Sequence, residues 1–119
     1  VDKEHIKFLQ SLPTYYTNDE LFISHAPITS FMEVPKDPYS RDSKAISFIW
    51  RRTAPKKPLS KFVINGHNGY LEEYTDRDGK VIGVCIDDSH NRRLCGLHWP
   101  SMDVYSVEEK IAVFKPEGE

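Results

Sequence analysis

The sequence predicts an α+β fold that is rich in β-strands after residue 60. Five short runs of β-branched and aromatic residues follow Lys61, and the spaces between them are too short for helices. Before Lys61 the pattern is mixed, with one helical repeat, one short strand and a long irregular stretch. The 119 residues are the usual size of one domain. We therefore expect a single domain over residues 1–119, ending in a polar tail at 115–119.

The chain opens with a short helical pattern. Apolar residues recur at a spacing of three from Ile6 to Leu12, which is typical of one face of a helix. Asp2 is a suitable N-cap and Pro13 ends the pattern, so we expect a helix up to about Ser11. Because this helix is amphipathic from the first residues, we expect the chain to begin inside a larger fold.

A buried strand and a long loop follow the helix. Residues 21–24 form an apolar run between turn-forming residues, which predicts a strand ending just before His25. Residues 27–43 contain three prolines and no periodicity, which predicts an irregular loop. The apolar run 45–50 predicts a buried element, and it delivers the arginines of the basic stretch 51–58 to the surface.

The five later runs predict strands at 62–65, 70–75, 80–86, 94–99 and 103–107. The second and third of these flank Asp76-Arg77-Asp78-Gly79, whose glycine can adopt the left-handed conformation of a short loop. We therefore expect residues 70–86 to form a β-hairpin.

The composition gives no sign of some classes of partner. The formal net charge is −2, so the sequence gives no strong signal for nucleic acid or for an anionic membrane. No apolar run approaches the roughly 18 residues that span a bilayer, and the first residues do not resemble a signal peptide. We expect a soluble, cytoplasmic protein. Cys85 and Cys95 lie in apolar stretches without a CxxC pair, which favours reduced core residues over a disulfide.

Two histidines directly follow apolar strands and are candidate metal ligands. His25 follows the strand at 21–24, and His67 follows the strand at 62–65. If these strands are parallel, both side chains leave the same edge of a sheet, where ligands of α/β folds gather. Neutral imidazole is a common ligand of transition metals. By itself, each histidine is more often a hydrogen-bonded structural residue.

Five short motifs follow one another along the chain. They are Ser24-His25-Ala26-Pro27, Trp50-Arg51-Arg52, Gly66-His67-Asn68, Ile86-Asp87-Asp88-Ser89, and Leu-x-Gly-x-x-x-Pro at 94–100. In this order they resemble the second half of calcineurin-like metallophosphoesterases, in the branch of protein-phosphatase-like and dinucleoside-tetraphosphatase-like enzymes. The resemblance covers residues 8–107 and implies the C-terminal half of a two-sheet αββα sandwich.

The resemblance also implies an activity and its residues. His25 and His67 would bind the same ion of a divalent metal pair, which is manganese, iron, zinc or nickel. Arg52 would grip an oxygen of the phosphorylated substrate, and a metal-bound hydroxide would hydrolyse the phosphate ester. Asn68 and Asp87 are candidates for supporting these ligands. Asp87 either fixes the tautomer of His67 or satisfies a turn, and the sequence leaves both readings open.

The front half of that family is absent from the chain. Its Asp-x-His, Gly-Asp and Gly-Asn-His motifs do not occur in order, and Asp88-Ser89-His90 matches the first only by coincidence. We therefore expect weak metal binding and little catalysis from this chain alone, with the missing N-terminal half encoded upstream as its partner. Two alternatives remain, a non-catalytic β-rich binding module and one chain of a split phosphatase. An exposed apolar sheet edge favours an incomplete enzyme over a module.

Overall fold

Two β-sheets and two α-helices form the described part of the chain, for which a computed structural model gives residues 2–106 and 110–114. This confirms the α+β class and the concentration of strands after residue 60. Residue 107 of the last predicted strand and the predicted tail at 115–119 lie outside the described residues. The elements are α1 (Lys3–Gln10), β1 (Tyr15–Thr17), β2 (Leu21–Ser24), α2 (Ser43–Ile49), β3 (Phe62–Asn65), β4 (Glu72–Thr75), β5 (Val81–Cys85), β6 (Gly96–His98), β7 (Asp103–Tyr105) and β8 (Lys110–Val113), with 3₁₀ turns at Phe31–Glu33 and Ser89–Asn91.

The larger sheet is mixed and has the strand order β1-β2-β3-β5-β4. Strands β2, β3 and β5 are parallel to one another, whereas β1 and β4 run antiparallel to their neighbours. The parallel strands are short apolar runs, as expected of strands that are covered on both faces. Because they point the same way, their carboxyl ends lie along one edge of the sheet.

Alternate side chains of the larger sheet enter two different cores. Leu21 and Ile64 pack with Val104 of the antiparallel three-stranded sheet β6-β7-β8. Phe22, on the opposite face, packs with Phe48 of α2. The described fold therefore has three layers, with α2 on one side of the larger sheet and the smaller sheet on the other.

The predicted hairpin is confirmed. β4 pairs antiparallel with β5, and the loop at 76–79 joins them. The Asp76 amide donates to the Lys80 carbonyl at 2.9 Å, and Gly79 has a φ of 84°, which a residue with a Cβ rarely adopts. Gly79 was therefore the residue of this loop that indicated a hairpin in the sequence.

The predicted opening helix is also confirmed, but its apolar face is uncovered. The Asp2 carboxylate accepts a hydrogen bond from the Glu4 amide at 2.8 Å and caps α1. No residue of α1 is buried, and Phe8 and Leu9 are 62% and 59% exposed. No described element covers this apolar face. Neither helix in the described ranges is long and apolar enough to cross a membrane.

Some local predictions need correction. The run 45–50 forms the amphipathic helix α2 and not a fully buried element, because Phe48 is buried while Ile46 and Trp50 are exposed. His98, in the strand predicted at 94–99, is exposed. Both cysteines are free, and only one, Cys85, is fully buried.

Gly83 lies opposite Val63 of β3 without room for a side chain, so one added methyl group should strongly reduce stability. A Cβ at Gly83 would lie 2.7 Å from the Val63 carbonyl oxygen and would overlap the Val63 side chain, so backbone would have to move. We expect Gly83→Ala to lower the free energy of unfolding by about 1–3 kcal/mol in urea titrations. Gly96→Ala is the matched control, because Gly96 is also in a strand and has open space around its Cβ position. Equal losses in the two variants would contradict this packing of β3 and β5.

Candidate metal site

The two predicted histidines lie together at the carboxyl edge of the larger sheet. β2 pairs with β3 in parallel register, Ser24 opposite Asn65, so the residues that follow these strands leave the sheet side by side. They border a pocket of about 430 Å³. Its polar lining comes from the ends of β2, β3 and β5 and includes His25, Asn65, His67, Asp87, Asp88 and Arg93.

The imidazoles of His25 and His67 face each other closely. His25 Nε2 and His67 Nδ1 are 3.0 Å apart, and the ring planes meet at 59°. With one nitrogen protonated, this contact is a hydrogen bond. With both nitrogens unprotonated, both can act as metal ligands. If one metal ion binds two nitrogens that are 3.0 Å apart, through bonds of about 2.0–2.1 Å, the angle between the two bonds is about 90°. The pair therefore fits two adjacent positions around a single first-row metal ion.

The backbone after β3 places His67 in this position. His67 has a φ of 70°, in the left-handed region that residues other than glycine seldom occupy. The Gly66 amide donates to the His25 carbonyl at 2.9 Å, so the backbones of the two histidine loops are joined directly. A sharp turn thus follows each parallel strand, and the two turns are hydrogen-bonded to each other.

The surroundings of His67 favour its neutral form. Burial lowers the pKa of His67 first, and the positive potential from His25 and Arg52 lowers it further, while Asp87 acts in the opposite direction. Since metal ions bind the unprotonated imidazole, a lowered pKa keeps His67 available as a ligand at lower pH than an ordinary histidine.

Asp87 organises the loops around the pair. Its carboxylate accepts hydrogen bonds from the Gly69 amide at 3.0 Å and from the Ser89 amide at 2.9 Å. Burial works against ionisation of Asp87, but these hydrogen bonds hold its pKa below the ordinary value. No hydrogen bond joins Asp87 to His67 in the described structure. Of the two readings left open by the sequence, the geometry supports the role in the turn.

Asn68 and Arg52 meet beside the histidines. Asn68 Nδ2 donates to the Arg52 carbonyl oxygen at 3.3 Å, which holds the stretch after α2 against the loop that carries His67. The Arg52 side chain is exposed and close enough to lower the pKa of His67. The structure thus brings Arg52, Asn68 and His67 together.

Two residues of the site were not identified from the sequence. Trp50 lies edge-on to His67, with ring centres 5.7 Å apart, although 66% of its surface is exposed. Asn65, the last residue of β3, is 2% exposed beneath the histidine loop. Trp50 belongs to the Trp-x-Arg motif, which could have drawn attention to it, whereas nothing in the sequence distinguished Asn65.

The Asp88-Ser89-His90 triplet makes local contacts of its own. Buried Asp88 accepts from Arg93 Nε at 2.6 Å and from Asn91 Nδ2 at 2.8 Å, and His90 stacks on Tyr70 with ring centres 4.2 Å apart. These contacts stabilise the 3₁₀ turn at Ser89–Asn91.

The described residues do not complete a metal site by themselves. Within 2–106 and 110–114, no three His, Cys, Asp or Glu side chains are grouped so that they could hold a metal ion. The site contributes two imidazoles, and most protein metal sites have three or four protein ligands. No family model matches the chain, and searches of curated proteins and of solved structures find no similar protein.

Proposed function

We propose that this chain is the C-terminal half of a calcineurin-like metallophosphoesterase, in which His25 and His67 bind one ion of a divalent metal pair and the substrate is a phosphate ester. The observation that carries the proposal is the 3.0 Å approach of His25 Nε2 and His67 Nδ1 at the carboxyl edge of parallel strands. The ordered motifs along the chain support the same conclusion.

The donor set suits a borderline transition metal. Two imidazole nitrogens fit manganese, iron, zinc or nickel better than the oxygen-preferring magnesium or calcium. When bound, a metal pair supplies the Lewis acid and the activated water of phosphate ester hydrolysis. His67 Nε2 is buried and makes no hydrogen bond, so His67 interacts through Nδ1, the nitrogen that faces His25.

Arg52 is the proposed anchor for the phosphate group. Its guanidinium is exposed, lies beside the His67 loop and carries a planar set of donors that matches a phosphate. The adjacent Arg51 forms an ion pair with Glu33 at 3.4 Å instead. The two neighbouring arginines therefore have separate roles.

An uncovered apolar surface continues from the histidine pair. Ile23 lines the histidine pocket and also a second pocket with Tyr16 and Ile49, and a third pocket lies between Ile49 and Leu9 of α1. Ile23, Tyr16 and Leu9 are all exposed. Contiguous exposed apolar surface marks sites of protein contact. We assign this surface to the N-terminal half of the fold, because the missing metal ligands must enter at the same edge.

Arg52→Ala tests the role of Arg52 as the phosphate anchor. The variant is measured in the enzyme that this chain forms with the N-terminal half. Loss of charge-assisted hydrogen bonds to phosphate should weaken phosphate binding by about 10- to 100-fold. The readouts are KM for p-nitrophenyl phosphate and inhibition by inorganic phosphate, with metal affinity unchanged.

Arg51→Ala is the matched control for that experiment, since Arg51 is the adjacent arginine and is paired with Glu33. It should leave KM close to that of the parent enzyme. Equal effects of the two substitutions would contradict the role of Arg52. The proposed function itself also requires Asp-x-His, Gly-Asp and Gly-Asn-His motifs, encoded either upstream of this chain or in a partner gene. Their absence from both places would contradict it.

A further inference from the structure

We propose that Asn65 is a positioning residue that fixes the turn between β3 and His67 and so sets the separation of the two imidazoles. This inference rests on the proposed function, since it concerns the same pair of ligands. It adds a residue that is neither a ligand nor a contact of the substrate.

The first observation is the convergence of three donors on one carbonyl. Asn65 Nδ2 donates to the Gly66 carbonyl oxygen at 2.7 Å. The same oxygen accepts from the Asn68 amide at 2.9 Å and from Cys85 Sγ at 3.4 Å. The peptide group between Gly66 and His67 is therefore held on its oxygen side immediately before the metal ligand.

The second observation is that the other side of Gly66 is tied to the partner histidine. The Gly66 amide donates to the His25 carbonyl oxygen at 2.9 Å. Gly66 thus links the backbones of both proposed ligands, and Asn65 sets its orientation from below. His67 itself has a φ of 70°. A residue with a side chain stays in this region only where the surrounding structure enforces it.

The third observation is that Asn65 is an amide at a core position. It is 2% exposed. Burial raises the pKa of Tyr74, and the neighbouring Asn65 amide acts in the opposite direction, so these two buried side chains interact. An apolar side chain could not donate to Gly66. The hydrogen bond to Gly66 is therefore one reason for an amide at this position.

Asn65→Ala tests this role by the affinity of the full 119-residue chain for Co²⁺, measured by calorimetry and by the visible absorption of the bound ion. Loss of residues that orient metal ligands usually weakens metal binding by about 10- to 100-fold, and we expect a loss in this range. The Co²⁺ absorption should also change, because the ligand angle is no longer fixed.

Val63→Ala is the matched control, because Val63 is buried in the same strand and its loss reduces packing without touching the Gly66 carbonyl. Its Co²⁺ affinity should stay within about a factor of two of the wild type in the folded chain. Cys85→Ala removes the other side-chain donor to Gly66 and should also weaken Co²⁺ binding. If Asn65→Ala does not fold, Asn65→Leu decides the matter, because leucine has nearly the shape of asparagine but cannot donate to Gly66.

The outcomes separate this inference from the proposed function. If the wild-type chain shows no saturable Co²⁺ binding at concentrations that cover the weak affinity expected of two imidazoles, both are overturned. Saturable binding that is equal in the wild type and in folded Asn65→Ala would overturn the positioning role alone. If Asn65→Ala does not fold, wild-type affinity in folded Asn65→Leu would overturn it in the same way.

Discussion

Replacing His67 with alanine should reduce the metal-dependent phosphatase activity of the complete enzyme by at least about 100-fold, since removing a residue that only orients a ligand already costs up to this much. His67 Nδ1 lies 3.0 Å from His25 Nε2, so His67→Ala removes one of the two nitrogens that this chain contributes. The remaining imidazole, that of His25, can occupy only one position around the ion. The measurement is kcat/KM with a phosphate ester at fixed metal concentration.

Excess metal provides a further test of the same variant. If His67 acts as a ligand, added manganese or nickel should recover part of the activity, because mass action offsets weaker binding. His98→Ala is a suitable control, since His98 is an exposed histidine of the smaller sheet whose Nδ1 contacts Ser101. It should retain parent activity. Full activity in His67→Ala would contradict the metal site.

The larger sheet could be predicted from the sequence because its strands carry strong local signals. The runs at 21–24 and 62–65 are apolar and bounded by turn residues, and both form strands with those bounds. The order of the strands is a different matter. β3 pairs with β5 and not with the strand that follows it, and no local pattern encodes this non-local choice.

Short elements and amphipathic runs were harder to predict. β1 has three residues, Tyr15–Thr17, too few to show an alternating pattern. The run 45–50 is apolar except for Ser47, and only the tertiary structure shows that α2 buries Phe48 and that Trp50, which follows it, is exposed. β4 and β6 begin two residues later than the strands predicted at 70–75 and 94–99, and the apolar residues Tyr70 and Leu94 that began those predictions are exposed.

Some residues of the candidate site could likewise be predicted from the sequence, and others could not. His25 and His67 could be proposed from sequence because each follows an apolar strand, and their convergence required only that the strands be parallel. Asn65 could not be proposed, since a polar residue at the end of a strand is ordinary. Its importance depends on the hydrogen bond to Gly66 and on the depth of its burial.

Trp50 gives the most direct measurement of the central claim, that His25 and His67 bind one metal ion. Its ring lies 5.7 Å from that of His67, and the chain has only one other tryptophan, Trp99, which packs on Phe62. In the Trp99→Phe variant, the indole fluorescence therefore reports on Trp50 alone. Co²⁺ quenches a nearby indole over short distances.

The account predicts saturable quenching of Trp50 fluorescence by Co²⁺ in Trp99→Phe. The quenching should be lost when His25→Ala or His67→Ala is added. The same titration in Trp99→Phe with His98→Ala should match the parent. Absence of quenching in Trp99→Phe, or an unchanged titration after either His25 or His67 is removed, would contradict the claim that these two histidines form a metal site.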